Sequence, residues 1–191
     1  MANEFYALLG RMRNITRWGL MRNTFSENIA EHSYMTAVLA HALALIRRDI
    51  LGLPTPDPDR CAVAALYHDA SEILTGHLPT PIKNYKPDIK AAYKQVEHAA
   101  GERLLGMLPP QLRECYAHDV LEDDAALLPI VKAADKLSAH IKCLEEQKAG
   151  NTEFDSAARQ TWEAMQAMDR PELDWFVEHC LGAFSLNLDQ L

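Results

Sequence analysis

The hexapeptide Tyr67-His68-Asp69-Ala70-Ser71-Glu72 places an imidazole and two carboxylates within five positions. It closes an apolar run, Cys61-Ala62-Val63-Ala64-Ala65-Leu66, that reads as helix. Ionisable groups buried against such a run are costly unless they pair or hold a metal. If the helix continues through the motif, His68 and Glu72 share one face, a turn apart. Asp69 then lies about 100° round the same helix and can still converge with His68 on an ion between them. The doublet supplies too few ligands by itself, so other elements must complete the shell.

Two further residues stand at positions from which they could do so. His32 falls on the apolar stripe Met35, Leu39, Ala42, Leu43 and Ile46 of a helix expected over about 30–48. Alone, it reads as a satisfied core histidine. Asp135 sits at the border of the face Ile130, Val131, Ala134, Leu137, Ile141 and Leu144, in a helix expected from Leu127 to Gln147. Alone, it reads as a partner for Lys132 or Lys136. Together, His32, His68, Asp69 and Asp135 form a set that helical bundles use to build metal sites from facing helices. Two imidazoles and two carboxylates suit a first-row divalent ion such as Mn, Fe, Co, Ni or Zn. In an octahedral shell they leave about two positions for water or substrate, the mark of a catalytic site.

The elements that must position these groups are helical. Residues 3–13 follow an amphipathic pattern through Phe5, Leu8, Leu9 and Met12. Residues 14–23 lack a period and read as loop; they carry Arg17-Trp18, which alone would be a surface cation and a core aromatic. Asp57-Pro58 reads as an N-cap followed by a first-turn proline, opening a helix to about residue 70. Gly76-His77-Leu78-Pro79-Thr80-Pro81 cannot continue that helix, and reads as a rigid loop that either lines a site or simply connects. A helix over 88–108 would bury Ile89, Tyr93, Val96, Leu104 and Leu108, and Pro109-Pro110 would start another from Gln111 to about Tyr116. Glu122-Asp123-Asp124 reads as a solvated loop or helix start, and helices over 153–168 and 171–187 close the chain. The expectation is an all-α, single-domain bundle over 1–191, of six to eight helices, with its metal-binding core at about 28–145.

Composition narrows the function classes. A net charge of −8 argues against nonspecific nucleic-acid binding. It does not exclude a small anionic substrate, because a local metal outweighs the global charge. Cys61, Cys115, Cys143 and Cys180 form no CxxC pair, which removes zinc-finger and thioredoxin readings. No stretch reads as the ~20 apolar residues of a membrane span, and no leader is evident. A cytoplasmic protein with no membrane partner is expected.

The order His…His-Asp…Asp resembles the HD-domain metal-dependent phosphohydrolases. The strings RWGLMRN, SENIAEHS, YHDASEILTGHLPTPIK and KAADKLSAHIKCLEE, in that order, resemble the bacterial 5'-deoxynucleotidases of the YfbR type. The resemblance implies a divalent metal on His32, His68, Asp69 and Asp135, and Glu72 as the catalytic carboxylate beside the metal-bound water. It implies that Arg17 and Trp18 hold the phosphate and screen the sugar, with Arg17 also contributing to catalysis. His32, Asp69 and the loop His77-Leu78-Pro79-Thr80 would contact the nucleotide. At the first loop position the enterobacterial members carry Asp and this chain carries His77, so the charge beside the sugar differs. The implied reaction is hydrolysis of deoxyribonucleoside 5'-monophosphates by a homodimer. The alternatives are an HD phosphohydrolase acting on a triphosphate, a cyclic nucleotide or guanosine tetraphosphate, a catalytically silent HD binding module, and a plain helical scaffold.

Overall fold

In the computed structural model, which describes residues 3–83 and 85–191, helices begin where the sequence supplies a cap or a proline. Helix α1 (Phe5–Leu9) breaks into a 3-10 turn at Met12–Asn14, so the single helix expected over 3–13 is interrupted. The following loop is pinned by an antiparallel bridge between Thr16 and Asn28. Helix α2 (Ile29–Leu45) opens with a capping box. Asn28 accepts from the backbone N–H groups of Ala30 and Glu31, while the Glu31 carboxylate accepts from that of Asn28. A wider turn, Ile46–Ile50, extends it. Asp57 caps α3 (Pro58–Tyr67) by accepting from the Arg60 N–H, with Pro58 in the first turn as expected.

Helix α3 stops at Tyr67, short of the expected residue 70, and a separate short helix α4 (Glu72–Thr75) follows. Then come α5 (Thr80–Lys83), α6 (Pro87–Gly106), α7 (Pro110–Leu121), α8 (Leu128–Lys148), α9 (Asp155–Gln166) and α10 (Pro171–His179). Among the described residues there is no strand, and seven α-helices have nine residues or more. The all-α expectation holds.

The main core lies where α2 packs on α3 and α8, with α10 closing one side. Leu39, Leu43, Ala65, Ile130, Leu137 and Leu173 are almost wholly buried there. Each buried leucine contributes about 2 kcal/mol. This core accounts for one departure from the sequence reading. Ile29–Ile50 has a mean hydropathy of 1.3 over its most apolar window, and is long and apolar enough to cross a membrane. Here that apolar character is spent on the contacts with α3, α8 and α10.

A second cluster joins Phe5, Ala70, Leu104, Leu105, Leu108 and Val120. It seats α6 and α7 against the turn that follows α3. Gly101 permits the approach: a Cβ there would lie 2.9 Å from Leu121 Cδ2 and 3.3 Å from the Val120 carbonyl oxygen. The apolar face expected along the whole of α6 is buried only in its second half; Ile89 and Val96 are exposed. A third cluster, Cys143, Phe154 and Ala158, receives Trp18 and Met21 from the loop before α2.

Candidate active site

The end of α3 corrects the geometry expected of the opening motif. His68 is the C-cap of α3, residues 68–71 form a turn, and Glu72 opens α4. The two residues therefore do not share one continuous helical face. Ala70, fully buried in the second cluster, anchors the turn from below. The His68 Nδ1–H donates to the Ala65 carbonyl oxygen at 2.7 Å, a bond available because His68 sits at the helix terminus. That bond assigns the proton to Nδ1 and leaves Nε2 with a free lone pair. The His68 Nε2 is buried and has no hydrogen-bond partner.

His32, fully buried on α2, faces it with ring centroids 5.3 Å apart. The His32 Nε2 lies 3.0 Å from Asp135 Oδ1 on α8 and 3.8 Å from Asp69 Oδ2. On the far side of the ring, Nδ1 is 3.2 Å from Ser138 Oγ, one turn along α8 from Asp135. Asp69 Oδ2 is also 3.3 Å from His68 Nε2. Asp135 is paired to His32, and the salt bridge to Lys132 or Lys136 that the sequence left open is not the one formed.

Charge in the cluster is mutually supporting. Burial works against ionisation of Asp135, yet the hydrogen bond from His32 and the two imidazoles hold it well below the usual carboxylate range. Asp69 is held low in the same way, against burial, by His68, His32 and Arg17. Burial and Arg17 push His32 down, towards the neutral imidazole a ligand must be. Burial alone would lower His68 as well, but the carboxylates of Asp69 and Asp135 raise it, the mark of a site that favours positive charge.

These observations fit a divalent transition metal. His32, His68 and Asp135 each present a ligand atom, all within 4.8 Å of one another. The orphaned Nε2 of His68 is what such an ion would satisfy, and Asp69 Oδ2 borders both imidazoles. Ser138 and the Ala65 carbonyl are the outer partners that would fix the two rings.

Around the ligand set lie the remaining candidates. Glu72 is 5% exposed and its Oε2 is 2.9 Å from His77 Nδ1. Burial raises its pKa, helped by the charge of Asp69 and opposed by the hydrogen bond to His77. Arg17 is buried, unlike the surface cation it resembles in sequence. Its Nε–H donates to Glu27 Oε2 at 3.0 Å and its Nη1 to Asp69 Oδ2 at 3.3 Å. Trp18 is half-buried, its ring centroid 5.4 Å from that of Phe154. Its φ of +58° is a left-handed conformation that costs a bulky residue about 1–3 kcal/mol. His77 reaches the cluster through Glu72; Leu78 and Pro79 beyond it are half-buried, and Thr80, exposed, opens α5.

Two contributors were missed in sequence. Glu27 and Ser138 lie within the strings SENIAEHS and KAADKLSAHIKCLEE, but neither residue's type or spacing singles it out. Glu122 is exposed in the left-handed cap of α7, within the solvated loop expected of it. Its residue surface is open to solvent, but crowding of its carboxyl by the protein, together with the charges of Asp69 and Asp135, pushes its pKa up to about 7.

The helix arrangement is that of HD-domain phosphohydrolases. It superposes with a TM-score of 0.81 on an HD-domain phosphohydrolase of Listeria innocua, at 20% identity over 95% of this chain and 88% of that one. A TM-score of 0.63 relates it to an HD phosphohydrolase of cyanophage S-2L that binds dA and one catalytic Zn2+ ion, at 24% identity over 92% and 95% of the two chains. Residues 4–184 match the family 5'-deoxynucleotidase YfbR-like, and the chain belongs to it. Among its relatives, a 5'-deoxynucleotidase of Vibrio parahaemolyticus is 44% identical over 99% of this chain and 98% of its own length. Another, from Shewanella oneidensis, is 41% identical over 99% of this chain and 97% of its own.

Proposed function

We infer that this chain is a metal-dependent 5'-deoxynucleotidase, hydrolysing deoxyribonucleoside 5'-monophosphates to deoxyribonucleoside and phosphate. The observation that carries the reading is the cluster of buried His32 and His68 with half-buried Asp69 and Asp135, the His68 Nε2 without a hydrogen-bond partner and Arg17 at its edge. An ion bound by those four side chains would act as a Lewis acid on the phosphoryl group and lower the pKa of water.

The chain's own residues account for the rest. Arg17 neutralises the nonbridging phosphate oxygens, a bidentate task for which guanidinium is better shaped than ammonium. Its Nε is already committed to Glu27, so the terminal nitrogens are the ones that face the ligand cluster. Glu72 takes the proton of the attacking water on its carboxylate, with the His77 imidazole holding that carboxylate in place. Trp18 packs against the sugar and excludes a 2'-hydroxyl by shape, while His32, Asp69 and the loop His77-Leu78-Pro79-Thr80 contact the nucleotide.

A monophosphate is favoured over a triphosphate or guanosine tetraphosphate by the shortage of cations. Lys83 is engaged by Glu97 at 2.6 Å and Arg22 is exposed, leaving Arg17 as the cation paired to the ligand cluster. The metal is Co, Mn, Zn, Ni or Fe on ligand chemistry.

A panel of ribo- and deoxyribonucleoside 5'-monophosphates, assayed with each of these ions, tests the reading. Inorganic phosphate released from the deoxy substrates is the expected result. Release of pyrophosphate from triphosphates, or turnover with no added or bound metal, would overturn it. A homodimer is part of the same proposal, and light scattering on the eluting protein checks it.

A further inference from the structure

The loop carrying Arg17 and Trp18 is organised around a residue that none of the chemistry above uses. Glu27 is half-buried, with its side chain 12% exposed. A single oxygen, Oε2, accepts two hydrogen bonds: from the Arg17 Nε–H at 3.0 Å and from the Trp18 Nε1–H at 2.9 Å. The backbone repeats the connection. The Arg17 N–H donates to the Glu27 carbonyl oxygen at 2.9 Å, and the Ile29 N–H to that of Ile15 at 3.0 Å. With the Thr16–Asn28 bridge, these bonds lock residues 15–17 beside 27–29 as a short two-stranded clasp.

We propose that Glu27 is a positioning residue that sets phosphate affinity and deoxyribose selectivity together, by holding Arg17 and Trp18 on one carboxylate oxygen. The inference rests on the reading of Arg17 as the phosphate contact and Trp18 as the sugar wall. An arginine left to itself beside Asp69 would turn its guanidinium onto that carboxylate, because opposite charges in a poorly solvated site attract strongly. The charge on Glu27 pulls at the opposite edge, so that only Nη1 reaches Asp69, at 3.3 Å, and Nη2 makes no hydrogen bond among the described residues. A tryptophan at φ +58° is held against backbone preference. The bond from its indole N–H fixes the ring in an orientation that also sets it against Phe154, the two rings tilted by 53°. An apolar wall rejects an added hydroxyl by only about 10²-fold even when well placed, so a small tilt of the ring forfeits most of the discrimination.

The charge and the hydrogen-bond acceptor make separable contributions. Glu27→Gln keeps an oxygen that can accept from the indole but removes the charge opposite Arg17. It should raise KM for deoxy- and ribonucleoside 5'-monophosphates alike, roughly five- to tenfold, since hydrogen bonds to charged groups are about twice as strong as neutral ones, while retaining the deoxy-to-ribo ratio of kcat/KM. Glu27→Ala removes both and should also lower that ratio roughly tenfold. In a Trp18→Phe background, whose ring lacks the N–H, Glu27→Ala should raise KM without lowering the ratio further, the non-additivity expected of two groups acting as a unit.

These kinetic constants, measured with melting temperatures, decide the matter. A fall in melting temperature with KM and ratio unchanged would make Glu27 a scaffold residue and overturn the proposal. So would independent, multiplying effects of Glu27→Ala and Trp18→Phe on the ratio. If Glu27→Ala does not fold, Glu27→Gln decides alone, an unchanged KM being the overturning result. Arg17→Ala separates this failure from that of the site reading. A raised KM there with none in the Glu27 variants sinks only the positioning role, whereas an unchanged KM in Arg17→Ala removes the phosphate contact and the proposal with it.

Discussion

At the residue scale the site is a set of ionisable groups whose environments assign their roles. Glu72 is buried and bonded to His77, whereas Asp69 and Asp135 are bonded to or bordered by imidazoles that would be their fellow ligands. Replacing Glu72 by alanine should lower kcat by about 10²-fold or more while metal content and substrate binding persist. Steady-state kinetics beside metal analysis checks this, and near-normal turnover would remove Glu72 from the mechanism. Asp135→Ala should instead lower the bound-metal stoichiometry, read by elemental analysis of protein purified without chelators. Unchanged stoichiometry would break the four-ligand shell. The ligand types and their order were legible in the sequence, since a His on a stripe, a His-Asp doublet and an Asp on a long helix are local features. Glu27 and Ser138 were not, because a residue whose value lies in what it reaches across the fold leaves no mark in its own neighbourhood.

At the element scale, α8 does more than carry Asp135. Lys142 and Glu146, four apart on its buried face, are 2.5 Å from each other and are 2% and 0% exposed. Glu146 also accepts from the Thr24 backbone and hydroxyl and from Asn151 Nδ2, and Lys142 Nζ donates to the Phe25 carbonyl oxygen. The loop that carries Arg17 and Trp18 is thus fastened to α8 at its far end. Burial opposes ionisation of Glu146, but the bonds from Lys142, Asn151 and Thr24 bring its pKa down to about 2. A folded pKa below the unfolded one means stability that is fully present above about pH 4.5 and is lost as the pH falls towards 2.

The gap in melting temperature between the parent and Glu146→Gln should therefore narrow over that window. A gap independent of pH would deny the charge its role. At neutral pH Glu146→Ala should destabilise by about 3–5 kcal/mol, because it strands the buried Lys142; denaturant titration measures it. The sequence reading located α8 to within a residue at either end from its periodicity. It did not detect this pair, because an i, i+4 lysine and glutamate look identical on a solvated face and in a buried one.

At the scale of the whole molecule, three helices of the main core converge their donors on one point, so metal binding and folding are linked. A divalent ion bound by the native state alone should raise the melting temperature, with about 2.7 kcal/mol expected at a hundredfold excess over Kd. Chelation should reverse the gain in the parent and leave His68→Ala nearly indifferent. Scanning fluorimetry with and without chelator reads both, and an equal shift in the two proteins would place the ion elsewhere.

What the sequence determined by itself was the set of helices and the chemical character of the site. Caps, prolines and apolar periods act over one or two turns, and their outcome is decided before distant parts of the chain meet. It misjudged the break between His68 and Glu72 and the exposed half of α6. Each of those depends on what packs opposite: Ala70 buried beneath the turn, and Gly101 admitting α7 only near the end of α6. Tertiary structure alone decided which donors meet, because closing the long loops between them is entropically costly and is offset only when the core of α2, α3 and α8 forms.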